Sequence, residues 1–150
     1  MTRRMVLDDE SEFALWKSDR YACENTCPKV VIAHQDRPIG TSLCRLLSMK
    51  GYQTVYAYDI AAARAYLKCW EPEALLFDTR LDARSDYRFV RDARAEMWTA
   101  ALLMVALSNI WPLDSIPALR KAGFDGHCRR PCSLWRLSEL LDTYFDRCSQ

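Results

Sequence analysis

With 150 residues, half of them hydrophobic, and a formal charge of +1, the chain has the size of one domain and enough apolar material for its core. The near-zero charge leaves no basic footprint for nucleic acid or an anionic membrane, and no apolar run reaches the roughly 18 residues of a membrane span. Arg3-Arg4 is followed by no apolar stretch, so a secretory leader is not expected and a soluble, cytoplasmic protein is.

Residues 1–28 are charged and mixed, apart from a short helix expected around Glu10–Lys17, and read as an N-terminal extension, with residues 29–147 as the domain. Whether the extension docks on the domain, exchanges between subunits or stays flexible is not set by its composition. From Lys29 the pattern becomes regular. Val30–Ala33 is a continuous apolar run, as in a strand buried on both faces. Pro38 suits a first helical turn, Leu43, Leu46 and Leu47 recur at helical spacing, and Gly51 ends the helix. Gln53–Ala57 is the second strand, and Asp59 caps a helix that runs to Cys69. Ala74–Phe77 is a third buried strand stopping at Asp78, and a polar loop leads to a helix over Asp86–Met97. Ala101–Leu107 is a fourth strand ending at Ser108. Pro112 and Pro117 delay the next helix to Ser115–Lys121, and Gly123 ends it. Gly126–Arg129 is a brief fifth strand, and Ser133 caps a last helix whose Leu134, Leu137, Leu140, Leu141, Tyr144 and Phe145 line one face.

Five alternations of strand and helix with short connections predict parallel strands, right-handed crossovers and helices on both faces. In such sheets functional groups gather beyond the carboxyl ends of the strands. Asp36, Asp78, Ser108 and Arg130 all fall there, delivered to one edge by four strands.

Lys29–Asp36, Pro72–Asp78, Met104–Ser108 and Ala122–Gly126 running into Arg130-Pro131 stand in an order and spacing that resembles the receiver domains of bacterial response regulators. The resemblance implies a flavodoxin-like α/β/α sandwich with a five-stranded parallel sheet in the order 2-1-3-4-5. It also implies that Asp78 matches the phosphoacceptor, Ser108 the hydroxyl that bonds the phosphoryl group, Arg130 the cation before a proline, and His127 the switch position. The pattern departs from the family where two acidic residues hold Mg²⁺, since His34 and Gln35 stand there and Asp36 comes one position late. An anionic carboxylate attacking a phosphoryl group needs its repulsion relieved, and Mg²⁺ prefers carboxylate oxygens and water. Weak Mg²⁺ binding and no resident cofactor are therefore expected. Arg80 stands where the family's metal contact is a backbone carbonyl. Its guanidinium, or that of Arg130, either takes over part of the metal's work or holds Asp78 in a permanent ion pair, and the second reading is preferred.

Seven cysteines are odd in number, so they cannot all pair within the chain. Cys23/Cys27 and Cys128/Cys132 have a CxxxC spacing, but they lie at opposite ends of a strand about 17 Å long, and no zinc site is expected. His34 is expected to be structural, or to titrate near neutrality if it approaches Asp78. Of the tryptophans Trp70, Trp98, Trp111 and Trp135, the pair Trp111 and Trp135 suggests an apolar contact surface near the last two helices. The reading is a stand-alone atypical receiver with impaired phosphorylation and no enzymatic output, acting in phosphorelay-type signalling through protein contacts. Its expected partners are signalling proteins, a histidine kinase among them, or a second copy. The alternatives are a working phosphoacceptor at Asp78 and a flavodoxin-like cofactor binder. The second is weakened because His34–Pro38 replaces a phosphate-binding loop.

Overall fold

The computed structural model describes residues 12–16, 27–82, 85–96 and 101–145. Six strands form one sheet: β1 (Phe13–Leu15), β2 (Lys29–Ala33), β3 (Gln53–Ala57), β4 (Ala74–Asp78), β5 (Leu103–Ser108) and β6 (Gly126–Arg129). Their order is β1-β6-β5-β4-β2-β3. The last five are mutually parallel and reproduce the expected 2-1-3-4-5 order, while β1 runs antiparallel to β6. The described helices are α1 (Arg37–Met49), α2 (Ile60–Cys69), α3 (Arg88–Ala95), α4 (Ile116–Ala122) and α5 (Leu134–Tyr144).

Alternation along the strands divides the core into two layers. Val30, Ile32, Leu76, Val105 and Leu107 pack with Leu43 and Leu47 of α1 and Leu137 and Leu141 of α5. Val31, Ala33, Leu75, Phe77 and Met104 pack with Leu67 of α2, Val90 of α3 and Leu119 of α4. All five residues of β4 are buried, so truncating Leu76 to Ala would cost about 2–5 kcal/mol. That same burial carries the last residue of β4, Asp78, out of water.

Local chemistry fixes most ends. The Asp59 carboxylate accepts from Ala62 N (2.7 Å), Ser115 Oγ accepts from Ala118 N (3.3 Å), and Gly123 ends α4 at φ +115°. Ser133 precedes α5, but its side chain makes no capping bond, which corrects the expected cap. The helix expected from Asp86 begins at Arg88, because Asp86 and Tyr87 take left-handed φ of 55° and 59°. Its expected end at Met97 lies outside the described residues, and α3 ends at Ala95.

The larger correction is at the N-terminus. The helix expected around Glu10–Lys17 is replaced, where it is described, by β1, which adds a sixth, antiparallel strand. An edge strand presents unpaired N–H and C=O groups, and satisfying them outweighs local helix preference. Gly126 permits the approach, since a Cβ there would stand 2.6 Å from the Ala14 carbonyl oxygen. Trp16 continues the contact: its N–H bonds Asp125 O (2.9 Å), its indole N–H bonds Phe124 O (2.6 Å), and its ring stacks on His127 (5.8 Å between centroids).

Candidate functional site

Parallel pairing of β2, β4, β5 and β6 aligns their carboxyl ends, and Asp78 sits at the centre of that edge with no exposed surface. A buried carboxylate needs donors. Asp78 Oδ2 accepts from Gln35 N (3.0 Å), and Oδ1 accepts from Arg80 N (3.0 Å). The Arg80 guanidinium closes on both oxygens, with Nε at 3.1 and 3.2 Å and Nη2 at 2.8 Å. The same Nη2 donates to Asp36 Oδ2 (3.0 Å), so one cation bridges two carboxylates. Asp36 precedes α1 but makes no capping bond of its own. Arg130 Nε stands 3.5 Å from Asp78 Oδ1 and donates to Leu107 O (3.4 Å). Among the described residues, Arg130 Nη2 is the buried side-chain polar atom with no hydrogen-bond partner.

The electrostatics follow. Burial pushes the Asp78 pKa up, but the hydrogen bonds from Arg80 and Gln35 and the charge of Arg130 outweigh it, and the net displacement is downward from 3.8. Asp78 is therefore ionised at neutral pH. His34 is buried and lies 3.5 Å from Asp78 Oδ2, yet its Nδ1 accepts the Asp36 backbone N–H (3.0 Å). An accepting nitrogen carries no proton, so the ring is the neutral Nε2–H tautomer. Burial lowers the His34 pKa from 6.5 against the opposing pull of Asp78, with Arg80 adding to the lowering. His34 thus meets Asp78 as a neutral group.

Ser108 and His127 are both fully buried, and Ser108 Oγ lies 3.2 Å from His127 Nδ1. Trp16, the residue after β1, stacks on that imidazole. The structure therefore gathers Asp78, Arg80, Asp36, Gln35, His34 and Arg130 into one cluster, with Ser108 and His127 bonded to each other beside it. Trp111 and Trp135 lie apart from this cluster, 90% and 68% exposed, in the β5–α4 loop and the first turn of α5. Ile110 and Leu113 extend the apolar exposure around Trp111. Trp98 lies outside the described residues.

One polar centre had no sequence signal. Asp114, buried in the β5–α4 loop, accepts from Thr79 Oγ1 (2.6 Å), Tyr87 Oη (2.5 Å) and Asn109 N (2.6 Å). Arg129 donates to the Asp114 and Asn109 carbonyls at 2.5 and 3.1 Å. Its partners come from four segments, and a lone aspartate in a loop gives no periodicity by which to find it.

The donor set does not suit Mg²⁺. Both Asp78 oxygens are engaged by N–H donors, the guanidinium of Arg80 lies between Asp78 and Asp36, and the neutral imidazole of His34 stands 3.5 Å from Asp78. No group of three or more His, Cys, Asp or Glu able to hold a metal occurs among the described residues. Hard oxygen ligands in an octahedral arrangement are what Mg²⁺ demands.

A flavodoxin-like sandwich with these strand ends defines a class, and comparison with solved structures narrows it. The chain has the fold of response-regulator receiver domains. It superposes on the chemotaxis response regulator CheY4 of Vibrio cholerae with a TM-score of 0.70 at 18% identity, over 79% of this chain and 99% of that one. A response regulator receiver protein from Pseudomonas putida matches at 0.67 and 22% identity, over 79% and 98% of the two chains. A response regulator from Thermotoga maritima matches at 0.66 and 18%, over 80% and 98%. No protein-family model matches the chain, and no curated protein does. At these identities the likeness establishes the fold, and the chemistry must be argued from the site. Among the described residues no helix is long and apolar enough to cross a membrane.

Proposed function

We propose that this chain is an atypical receiver module of phosphorelay-type signalling. It transmits by protein–protein contact, with Asp78 locked in an internal ion pair in place of Mg²⁺-dependent phosphorylation. The observation that carries this reading is the two-point grip of Arg80 on Asp78, extended to Asp36. In-line attack requires a free carboxylate lone pair aimed at phosphorus and a cation that spans both reactants. Here the lone pairs are committed to donors, and the cation is tethered two residues away. Trp111, with Ile110 and Leu113, and Trp135 provide the apolar anchors for a signalling partner, a histidine kinase or a second copy among them.

A second reading rests on Arg130. Its buried, unpartnered Nη2 is a donor available to an anionic oxygen next to Asp78, which favours a phosphoacceptor using arginine in place of metal. Intact-protein mass after incubation with a small phosphodonor, with and without Mg²⁺, separates the two. The locked module gives no adduct in the wild type, and Arg80→Ala does not lose an adduct it never had. An adduct in the wild type that disappears in Asp78→Asn would replace the first reading with the second. The flavodoxin-like alternative is tested by colour and cofactor retention on purification; the carboxylate of Asp36 at the start of α1 disfavours an anionic cofactor there.

A further inference from the structure

Between β5 and α4 the chain runs from Asn109 to Asp114, and Ser115 then caps the helix. Ile110, Trp111 and Leu113 stand exposed in this loop, whereas Asp114 is buried. The Asp114 carboxylate closes the loop on itself. Its Oδ2 accepts from Asn109 N (2.6 Å), and the Asp114 N–H returns to Asn109 O (3.1 Å). Arg129 Nη1 holds both ends, donating to the Asn109 and Asp114 carbonyls. Thr79 Oγ1 and Tyr87 Oη supply the remaining bonds to the carboxylate. Three of these partners adjoin residues at the strand ends: Thr79 follows Asp78, Asn109 follows Ser108, and Arg129 precedes Arg130. The loop is thereby pinned to the edge of the sheet. Tyr87 reaches Asp114 from a left-handed backbone, φ 59°, with its ring edge-on to Phe124 (6.1 Å between centroids). A bulky residue keeps that conformation only where its surroundings enforce it.

We propose that Asp114 is a positioning residue: it presets the β5–α4 loop so that Trp111, with Ile110 and Leu113, forms a rigid apolar knob for a concave apolar pocket on a protein partner. This role rests on Trp111 being a partner contact, as proposed above, and adds the residue that makes the contact pre-formed. Apolar side chains on a free loop gain by turning away from water, and the loop samples many shapes. Here the two ends meet through one buried carboxylate, so the residues between them are confined to a closed turn that faces outward. A surface ordered before association loses less conformational entropy when it binds. The carboxylate suits the task because its two oxygens accept all three donors at once, Thr79 and Asn109 on Oδ2 and Tyr87 on Oδ1. Loss of the acceptor leaves those buried donors unpaired, and the cheapest relief is opening of the loop to water.

The test is backbone nitrogen relaxation of the whole chain, read at the amides of Ile110, Trp111 and Leu113 against those of β5 and β6. The wild-type loop should be as ordered as the strands, with order parameters of about 0.85, and Asp114→Ala should lower the loop to below about 0.6 while the strands hold. A wild-type loop already below about 0.6 would overturn the proposal, as would an Asp114→Ala loop that keeps its order. Equal loosening of β5 and β6 would make Asp114 a support of the fold at large and overturn the positioning role. Should Asp114→Ala not fold, Tyr87→Phe removes one bond and leaves the ring on Phe124. Amide exchange at Asn109 and Asp114 should then quicken by about 2- to 10-fold, and unchanged exchange would overturn the role. None of these readings needs a partner, so failure of the contact itself shows separately, as unchanged association of Trp111→Ser.

Discussion

Replacing Arg80 by alanine isolates the interaction on which the site turns. Asp78 has no exposed surface, and its carboxylate would lose the guanidinium that engages both oxygens, while Arg80 itself is 29% exposed. Stripping one partner from a fully buried pair costs about 3–5 kcal/mol. Asp78 would keep the N–H groups of Gln35 and of residue 80, and Arg130 at 3.5 Å, so about 2 kcal/mol is expected, or a fall of about 4–8 °C in Tm. The pH dependence is the sharper signature. In the wild type Asp78 has a depressed folded pKa, so its contribution is present above 3.8 and is lost as pH falls through the folded value. Without the Arg80 side chain the largest of the lowering contributions is gone, so the folded pKa moves upward and the stability that ionised Asp78 contributes above 3.8 shrinks. The difference between the two proteins should therefore be greatest near neutrality and small at about pH 3. Urea unfolding at both pH values measures it, and Asp78→Asn in the Arg80→Ala background should recover part of the loss. A penalty under about 0.5 kcal/mol, or one equal at the two pH values, would refute the ion-pair account.

His34 should titrate below 6.5 with Nδ1 unprotonated, as read by imidazole nitrogen shifts; because its folded pKa is lowered, stability should begin to fall as pH drops below 6.5. Gly126→Ala would drive a Cβ to 2.6 Å from the Ala14 carbonyl oxygen and should cost about 1–3 kcal/mol or release β1, seen as faster amide exchange in β6. Trp111→Ser and Trp135→Ala, both at exposed positions, should change stability by no more than about 0.5 kcal/mol while weakening partner binding or self-association. Unchanged association in both would leave the apolar surface without a role.

What the chain determines locally is its alternation of strands and helices. The continuous apolar runs Val30–Ala33 and Ala74–Phe77, the caps Asp59 and Ser115, and the stops Gly51 and Gly123 act within a few residues, so their signal is present in the sequence. The gathering of Asp36, Asp78, Ser108 and Arg130 at one edge was legible for the same reason, because each follows a strand whose direction the crossover rule sets. Which partner each charge takes was not. Arg80 and Arg130 were equal candidates for Asp78, and only the turn after β4 brings Arg80 onto both oxygens and leaves Arg130 at a longer distance. The docking of Phe13–Trp16 on β6 was likewise hidden, since it depends on an edge more than a hundred residues away and on the missing Cβ of Gly126. Asp114 shows the limit most clearly: its donors come from Thr79, Tyr87 and Asn109, and no local pattern records a meeting that long-range packing alone creates.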